Sequence, residues 1–337
     1  MDLKQLCEIH APSGDEKELR KLILAEARAV CGEENARIDR MGNVICFLKG
    51  GEVGKPHVCV SAHMDEVGFL VMGATEEGLL RFRPIGGIDP RVVISKRVVV
   101  GEKRLPGVIG AIAIHLQTAE DMERVLDFDN LYIDIGAKDK DEALKQCPPG
   151  SYACFDSPYT PFGDGFVCAR ALDDRVGCNT LLRLMREKYP GDVTLVFVTR
   201  EEVGMRGSVG AAYGIQPDIA VNLEGTAAND LGGEKDDPAV CRAGGGVAVS
   251  FMDNSSIAQR RLYQKMLRVA ARGGIAHQVK RGVTARNDAA NYQLAAGGAP
   301  VVTLSVPCRY IHSGASVCCL ADAEAQYELT RAFLLSV

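Results

Sequence analysis

No apolar stretch in this chain approaches the roughly 20 residues that a membrane-crossing helix requires. There is no internal repeat and no low-complexity tract. The one glycine triplet, Gly244-Gly245-Gly246, is not followed by Lys-Ser or Lys-Thr, so it is not a phosphate-binding loop. Histidine is scarce, with six in 337 residues. The twelve cysteines contain no C-x-x-C pair; Cys46, Cys59, Cys178 and Cys241 sit singly in apolar runs and read as reduced, buried thiols rather than disulfides. The adjacent Cys318-Cys319 gives no functional reading. The opening Met-Asp-Leu-Lys-Gln-Leu-Cys-Glu is too polar for a signal peptide, so a cytoplasmic protein is expected. A formal net charge of −5 argues against nucleic acid or an anionic membrane as partner.

What is present is a core. Hydrophobic residues make up 47% and charged residues 25%, as in a globular chain, and the length suggests about two domains. Four short Val/Ile-rich runs end beside residues that bind metal well. Residues 57–62 run into His63 and Asp65, 193–199 into Glu201 and Glu202, 218–223 into Glu224, and 300–307 are followed by His312. Apolar runs without alternation read as buried parallel strands, and ligands collect outside the carboxyl ends of such strands. A fifth segment, Ala171-Leu172-Asp173-Asp174-Arg175, adds two acids.

Along the chain, Ser13 to Glu16 reads as a capping box before a helix with Leu19, Leu22, Ile23, Ala27 and Val30 on one face, stopped by Gly32. From Gly68 to about 161 the texture turns to Gly, Val and many short strands, the pattern of a small β-rich barrel or sandwich. It separates His63 from Asp173, so it is expected to be an inserted domain, 68–161, within a domain made of 1–67 and 162–337. Helices are predicted at 174–188, from 208 to at least 213, and at 255–272, 288–296 and 322–335. The expected class is α/β: a mixed, mostly parallel sheet flanked by helices, with an inserted small β-barrel.

Several residues are candidates for chemistry. In His63-Met64-Asp65, positions i and i+2 share a face, so Asp65 can accept the second ring proton of His63 and fix the tautomer that offers nitrogen to a metal. Asp173 has two carboxylate oxygens and can bridge two cations. Asp174 and Arg175 suit local hydrogen bonds or a helix cap. Glu201 and Glu202 are adjacent and point differently, so Glu202 can ligate while Glu201 stays free as a general base. Glu224 reads as a ligand, Asp230 as a supporting or turn acid, and His312 as the ligand that completes a second metal. The other histidines, at 10, 57, 115 and 277, read as structural. Each signal alone also has a plain structural reading, from a sheet-edge histidine to an acidic helix start. Their joint occurrence beside successive strands is what points to one site.

That order resembles the dinuclear zinc-peptidase architecture. In detail the chain is similar to family forty-two of the metallopeptidases, the tetrahedral aminopeptidases. The likeness runs nearly end to end, through residues 11–20, 61–69, 169–177, 199–208, 219–233 and 306–313. It implies His63, Asp173, Glu202, Glu224 and His312 as metal ligands, with Asp173 bridging, Glu201 as base, and Asp65 at the catalytic centre. One metal would take His63 and Glu224, the other Glu202 and His312. Two divalent ions per subunit are implied, zinc or cobalt, together with release of N-terminal residues from short peptides. The insertion is implied to mediate dimers and a tetrahedral dodecamer. A cis bond between Asp173 and Asp174 is expected from related sites. Some relatives carry cellulase labels, but nothing here suggests a sugar site. The chain departs from the family's usual residues at Glu224 (commonly Asp), at Arg286-Asn287-Asp288 (often Gly-Thr-Asp) and at Gly314 (commonly Pro). Alternatives are a related dinuclear deacylase or carboxypeptidase, or a catalytically silent assembly protein of the same fold.

Overall fold

The computed structural model describes residues 1–118, 123–231 and 240–337. Four parallel strands form the centre of an eleven-stranded mixed sheet, in the spatial order Val193–Val198, Val58–His63, Ile219–Ala227 and Val301–Arg309. These are the ligand-bearing runs read in the sequence, so all four deliver their carboxyl ends to the same edge of the sheet. Both faces are covered, which is why the runs lack alternation. Val60, Ala62, Leu195 and Phe197 pack under helices Lys17–Cys31, Leu172–Leu184, Arg260–Gly273 and Leu320–Leu335. Cys59, Val196 and Val198 turn to the opposite layer, helices Arg206–Ile215 and Ala289–Leu294. Antiparallel strands widen the sheet on either side. Strand Val247–Ser250 pairs antiparallel with Val301–Arg309 and parallel with His277–Lys280.

Between His63 and the return of the chain to the sheet, six antiparallel strands close a barrel: Gly68–Ala74, Leu80–Ile85, Leu131–Asp134, Leu105–Ala111, Arg97–Val100 and Tyr152–Phe155. It has its own core. Phe69 is fully buried, edge-on to Phe82 at 5.2 Å and to Phe155 at 5.1 Å between ring centroids. Closure removes the exposed edges that such short strands would otherwise present.

Some local expectations shift. The third long helix starts at Arg260 rather than at 255, because Asp253 accepts the N–H groups of Ser255 and Ser256 at 2.6 and 2.7 Å and holds them in a turn. Ile257 is therefore exposed, while Leu262, Met266 and Ala270 make the buried stripe. Leu22 of the first long helix also faces outward. The glycine triplet wraps a carboxylate: Gly244 and Gly246 each donate an N–H to Asp322 at 2.7 Å. All twelve cysteines are free thiols, Cys31 and Cys168 half-buried and the rest buried. Among the described residues no helix is long and apolar enough to cross a membrane.

Candidate metal centre

At the carboxyl edge of the central strands two groups of donors converge. His63, Asp173 and Glu224 form one, and Asp173, Glu202 and His312 the other; in each, the ligand atoms lie within 4.8 Å of one another. Asp173 belongs to both. Its Oδ1 is 3.4 Å from His63 Nε2 and its Oδ2 is 3.4 Å from His312 Nε2. Glu224 Oε2 is 3.6 Å from His63 Nε2, and Glu202 Oε2 is 3.3 Å from His312 Nε2. The peptide bond between Asp173 and Asp174 is cis. Glu201 stands outside both groups and lines the adjoining cavity of about 300 Å³.

A layer of polar contacts aims these side chains. Asn222, two residues before Glu224 on the same strand, donates to Glu224 Oε1 at 2.8 Å and accepts from Ser61 Oγ at 2.7 Å. The longer acid at 224 is thus tied back at one oxygen, with the other facing His63. Gly225 donates its N–H to Asp173 Oδ1 at 3.0 Å, and a Cβ at that position would sit 2.8 Å from the same oxygen. His312 Nδ1 lies 3.0 Å from the carbonyl oxygen of Gly87, so the barrel segment orients that imidazole. Gly86 before it has φ +82°, and a Cβ there would meet Val67 at 2.8 Å.

Asp65 departs from its expected contact. The acceptor nearest His63 Nδ1 is the main-chain carbonyl of Asp65 at 3.1 Å, with the carboxylate at 3.5 Å. The carboxylate instead accepts from Ser13 Oγ at 2.6 Å, from Glu201 N at 3.0 Å and from Glu202 N at 3.2 Å. Ser13 therefore does not cap the following helix, which begins at Lys17 with no side-chain cap. Asp174 caps locally, accepting from Gly177 N at 3.0 Å. Arg175 is not local: it reaches the carbonyl of Ile9 at 3.0 Å and Glu66 at 3.3 Å, and with Arg170 encloses that buried carboxylate. Asp230 lies away from the donor groups and holds Arg309 through Nε and Nη2 at 2.8 and 2.9 Å, fixing the strand end that leads to His312. Gly232 and Gly233 of the family-like 219–233 stretch lie outside the described residues. His57 meets Thr194 Oγ1 at 2.8 Å, and His277 meets the carbonyl of Ile275 at 2.8 Å.

The electrostatics of the cluster fit the binding of a cation. Burial pushes the carboxyl of Glu224 well up, with Glu201 and Asp173 adding to it. Burial likewise lifts Glu201 well above the carboxylate range, reinforced by Asp288 and Glu202, and lifts Glu202 to about 7. For the two imidazoles burial acts downward but is outweighed by the facing acids, so His63 is held well above its ordinary value and His312 at about 9. His63 Nε2 is buried without a hydrogen-bond partner although two carboxylates face it. Imidazole nitrogen and carboxylate oxygen are the donors that divalent zinc-like ions take. A cation among them relieves the repulsion between acids and satisfies that nitrogen.

The model of the M42 glutamyl aminopeptidase family matches residues 42–329. A lysyl aminopeptidase of Pyrococcus furiosus is 29% identical, over 98% of this chain and 95% of the relative. Among solved structures, aminopeptidase APDkam598 of the archaeon Desulfurococcus kamchatkensis superposes with a TM-score of 0.93 at 32% identity, covering 99% of this chain and 94% of that one. The TET1 peptidase of Pyrococcus horikoshii, described as able to assemble into a tetrahedron or a large octahedral shell, superposes with a TM-score of 0.87 at 33% identity, covering 99% and 98%.

Proposed function

Since this chain belongs to the M42 glutamyl aminopeptidase family, and is on that ground a metal-dependent aminopeptidase, we propose that it holds two divalent ions, zinc or cobalt, and uses Glu201 as its general base. The observation that carries this reading is the sharing of Asp173 between two donor groups. His63 and Glu224 would complete one ion's ligands, and Glu202 and His312 the other's. When bound, such ions supply Lewis acidity to a peptide carbonyl and to water.

The protein's own groups do the rest. Glu201 lines the cavity and belongs to neither donor group, so its carboxylate is free to take a proton from the attacking water and return it to the leaving amine nitrogen. Asp65 sets where that carboxylate sits, because it holds the main-chain N–H groups of both Glu201 and Glu202. The cavity of about 300 Å³ suits one side chain of a short peptide.

Residues 1–67 and 162–337 make the catalytic domain in this reading, and 68–161 an insertion for self-association. The closed barrel with its own core supports an autonomous insertion. The assemblies described for the TET1 relative support dimers that build a tetrahedral dodecamer. A cytoplasmic location goes with this reading. The test is Glu201→Gln. It is expected to lower kcat on an aminoacyl-anilide by about 10²–10⁴-fold while elemental analysis finds the wild-type metal content. Near-normal turnover would remove Glu201 from the role of base.

A further inference from the structure

A second cavity, of about 600 Å³, lies where the barrel meets the amino-terminal segment of the sheet domain, and none of the metal-centre donors lines it. Its lining comes from residues 10–15, 99–104 and 146–154, none of which borders an undescribed stretch. On one side are His10 and Asp15, ahead of helix Lys17–Cys31. On the other are Tyr152 and the turn 101–104, which joins strands Arg97–Val100 and Leu105–Ala111. Two acids, Asp15 and Glu102, and two bases, Lys103 and Arg104, are exposed along the lining. Among the described residues none of these four side chains forms an ion pair or a hydrogen bond, and none is among those with an interaction left unspecified. Both ring nitrogens of His10 are buried without a hydrogen-bond partner. Behind it Arg170 and Arg175, 2% and 0% exposed, enclose the single carboxylate of Glu66, so that buried trio carries a net positive charge. Arg170 Nη2 is also buried without a partner.

The charges around this cavity are not uniform. His10 feels Arg170, Arg104 and Arg175 against Glu66 alone, whereas Tyr152 feels Asp15 and Glu16 against Arg200. Lowered to about 4, His10 is neutral at pH 7 and keeps one ring N–H as a donor. An excess buried cation beside idle donors favours an anion there. The unpaired acids on the same lining repel a polyanion and offer a seat to an ammonium. We propose that this cavity is a second, non-catalytic binding site for a zwitterion, a free amino acid or a short peptide, with its carboxylate at His10 and Arg104 and its ammonium at Asp15. Cleavage at the metal centre releases molecules of this class, so the inference goes beyond the aminopeptidase reading and is independent of which first residue is removed. The wall His10–Ser13 leads inward: Pro12 pairs with Glu66, and Ser13 Oγ donates to Asp65. The site thus adjoins the loop of Glu201 and Glu202 without sharing a donor with it.

The test is calorimetric titration of the metal-loaded enzyme with L-leucine, with isocaproate, which lacks the ammonium, with isoamylamine, which lacks the carboxylate, and with inorganic phosphate. D-leucyl-D-leucine, chosen to resist cleavage, represents the peptide form. At least one of the two zwitterions is expected to bind about tenfold or more tightly than each of the other three probes, because each end loses a charged hydrogen bond when it is removed. The tighter of the two identifies the amino acid or the peptide as the occupant. Arg104→Glu, at an exposed position, is expected to weaken that binding about tenfold or more while kcat and KM on an aminoacyl-anilide stay as in wild type. His10→Phe, which fills the cavity floor, is expected to do the same. A zwitterion that binds wild type and both variants equally is held at the metal centre, and the assignment is overturned. It is equally overturned if isocaproate or phosphate binds as tightly as the zwitterions, or if neither zwitterion binds. The aminopeptidase reading stands in each of these cases, since it is judged by hydrolysis of the anilide.

Discussion

Replacing Asp65 by Asn removes one negative charge and turns one acceptor oxygen into an NH2 group without changing the side chain's shape. The carboxylate is fully buried and accepts three hydrogen bonds, from Ser13 Oγ, Glu201 N and Glu202 N. Burial pushes its pKa up, but the contacts from His63, Ser13 and Glu201 outweigh that and keep it ionised below the usual range. An amide has two orientations here. With its oxygen toward Ser13 and Glu202 N, the NH2 opposes Glu201 N–H. Reversed, the NH2 opposes Glu202 N–H, because the Ser13 hydroxyl can rotate and accept but a backbone N–H cannot. Either way one part-buried N–H of the 201–202 pair loses a bond to a charged group, about 1.5–3 kcal/mol, and faces a donor instead, which leaves it unsatisfied at about 1–3 kcal/mol.

The loop between Val198 and Arg206 is expected to relieve that cost of about 2.5–6 kcal/mol by moving, and it carries both the proposed base and a proposed ligand. Displacement of a reacting group by about 1 Å costs on the order of 10²-fold in rate. Asp65→Asn should therefore lower kcat about 100-fold with little change in KM, and lower metal occupancy through Glu202. The companion Ser13→Ala loses a single contact and leaves both N–H groups paired, so its kcat should fall by less than tenfold. The assays are steady-state hydrolysis of an aminoacyl-anilide and metal content by elemental mass spectrometry on the same samples. Asp65→Asn with kcat within threefold of wild type and full metal occupancy would refute the assignment of Asp65 as the residue that positions the 201–202 loop.

Other outcomes follow from features elsewhere. Burial, helped by the Arg170 charge, lowers His10 from its ordinary 6.5 to about 4, so between those values the unfolded chain binds a proton that the folded chain refuses. Stability must then fall as pH drops from 6.5 toward 4, by about 2 kcal/mol at pH 5; His10→Gln should lose less thermal stability than wild type between pH 7.5 and 5, and equal losses would dismiss His10 as the source. Phe69→Ala deletes the ring that meets both Phe82 and Phe155 in the barrel, and should cost about 3–5 kcal/mol in denaturant unfolding. Chelation should abolish hydrolysis and lower the thermal midpoint, with divalent ion added back restoring both. At a thousandfold excess over Kd a bound ion contributes about 4 kcal/mol, so an unchanged midpoint would speak against ions at this centre.

The strand ends were legible because their chemistry is expensive. A Glu-Glu pair closing a run such as Val193–Val198 is tolerated in a folded chain only where something neutralises it, and the same reasoning picks out His63 and Glu224. The supporting contacts were not legible, because they join residues far apart whose local patterns have cheaper explanations. Ser13 with Glu16 imitates a capping box, yet the hydroxyl belongs to Asp65, 52 positions away. Arg175 follows two acids at a helix start and reads as a local partner, yet it binds Glu66 and the carbonyl of Ile9. Asn222 is hidden inside an apolar run, where only its i+2 relation to Glu224 hints that both side chains leave the strand on one face.

Gly86-Gly87 shows the same limit and has a larger consequence. Among the described residues the inserted barrel contributes none of the donor atoms. It nevertheless supplies the carbonyl facing His312 Nδ1, and with it the orientation of an imidazole whose other nitrogen points into the site. A main-chain oxygen leaves no trace in residue type; only the run of glycines at the end of strand Leu80–Ile85 could have signalled a close approach of backbone. The barrel is thus coupled to the metal centre as well as attached beside it. A displacement of the barrel relative to the sheet would move the Gly87 carbonyl that faces His312, a donor whose side chain is 31% exposed.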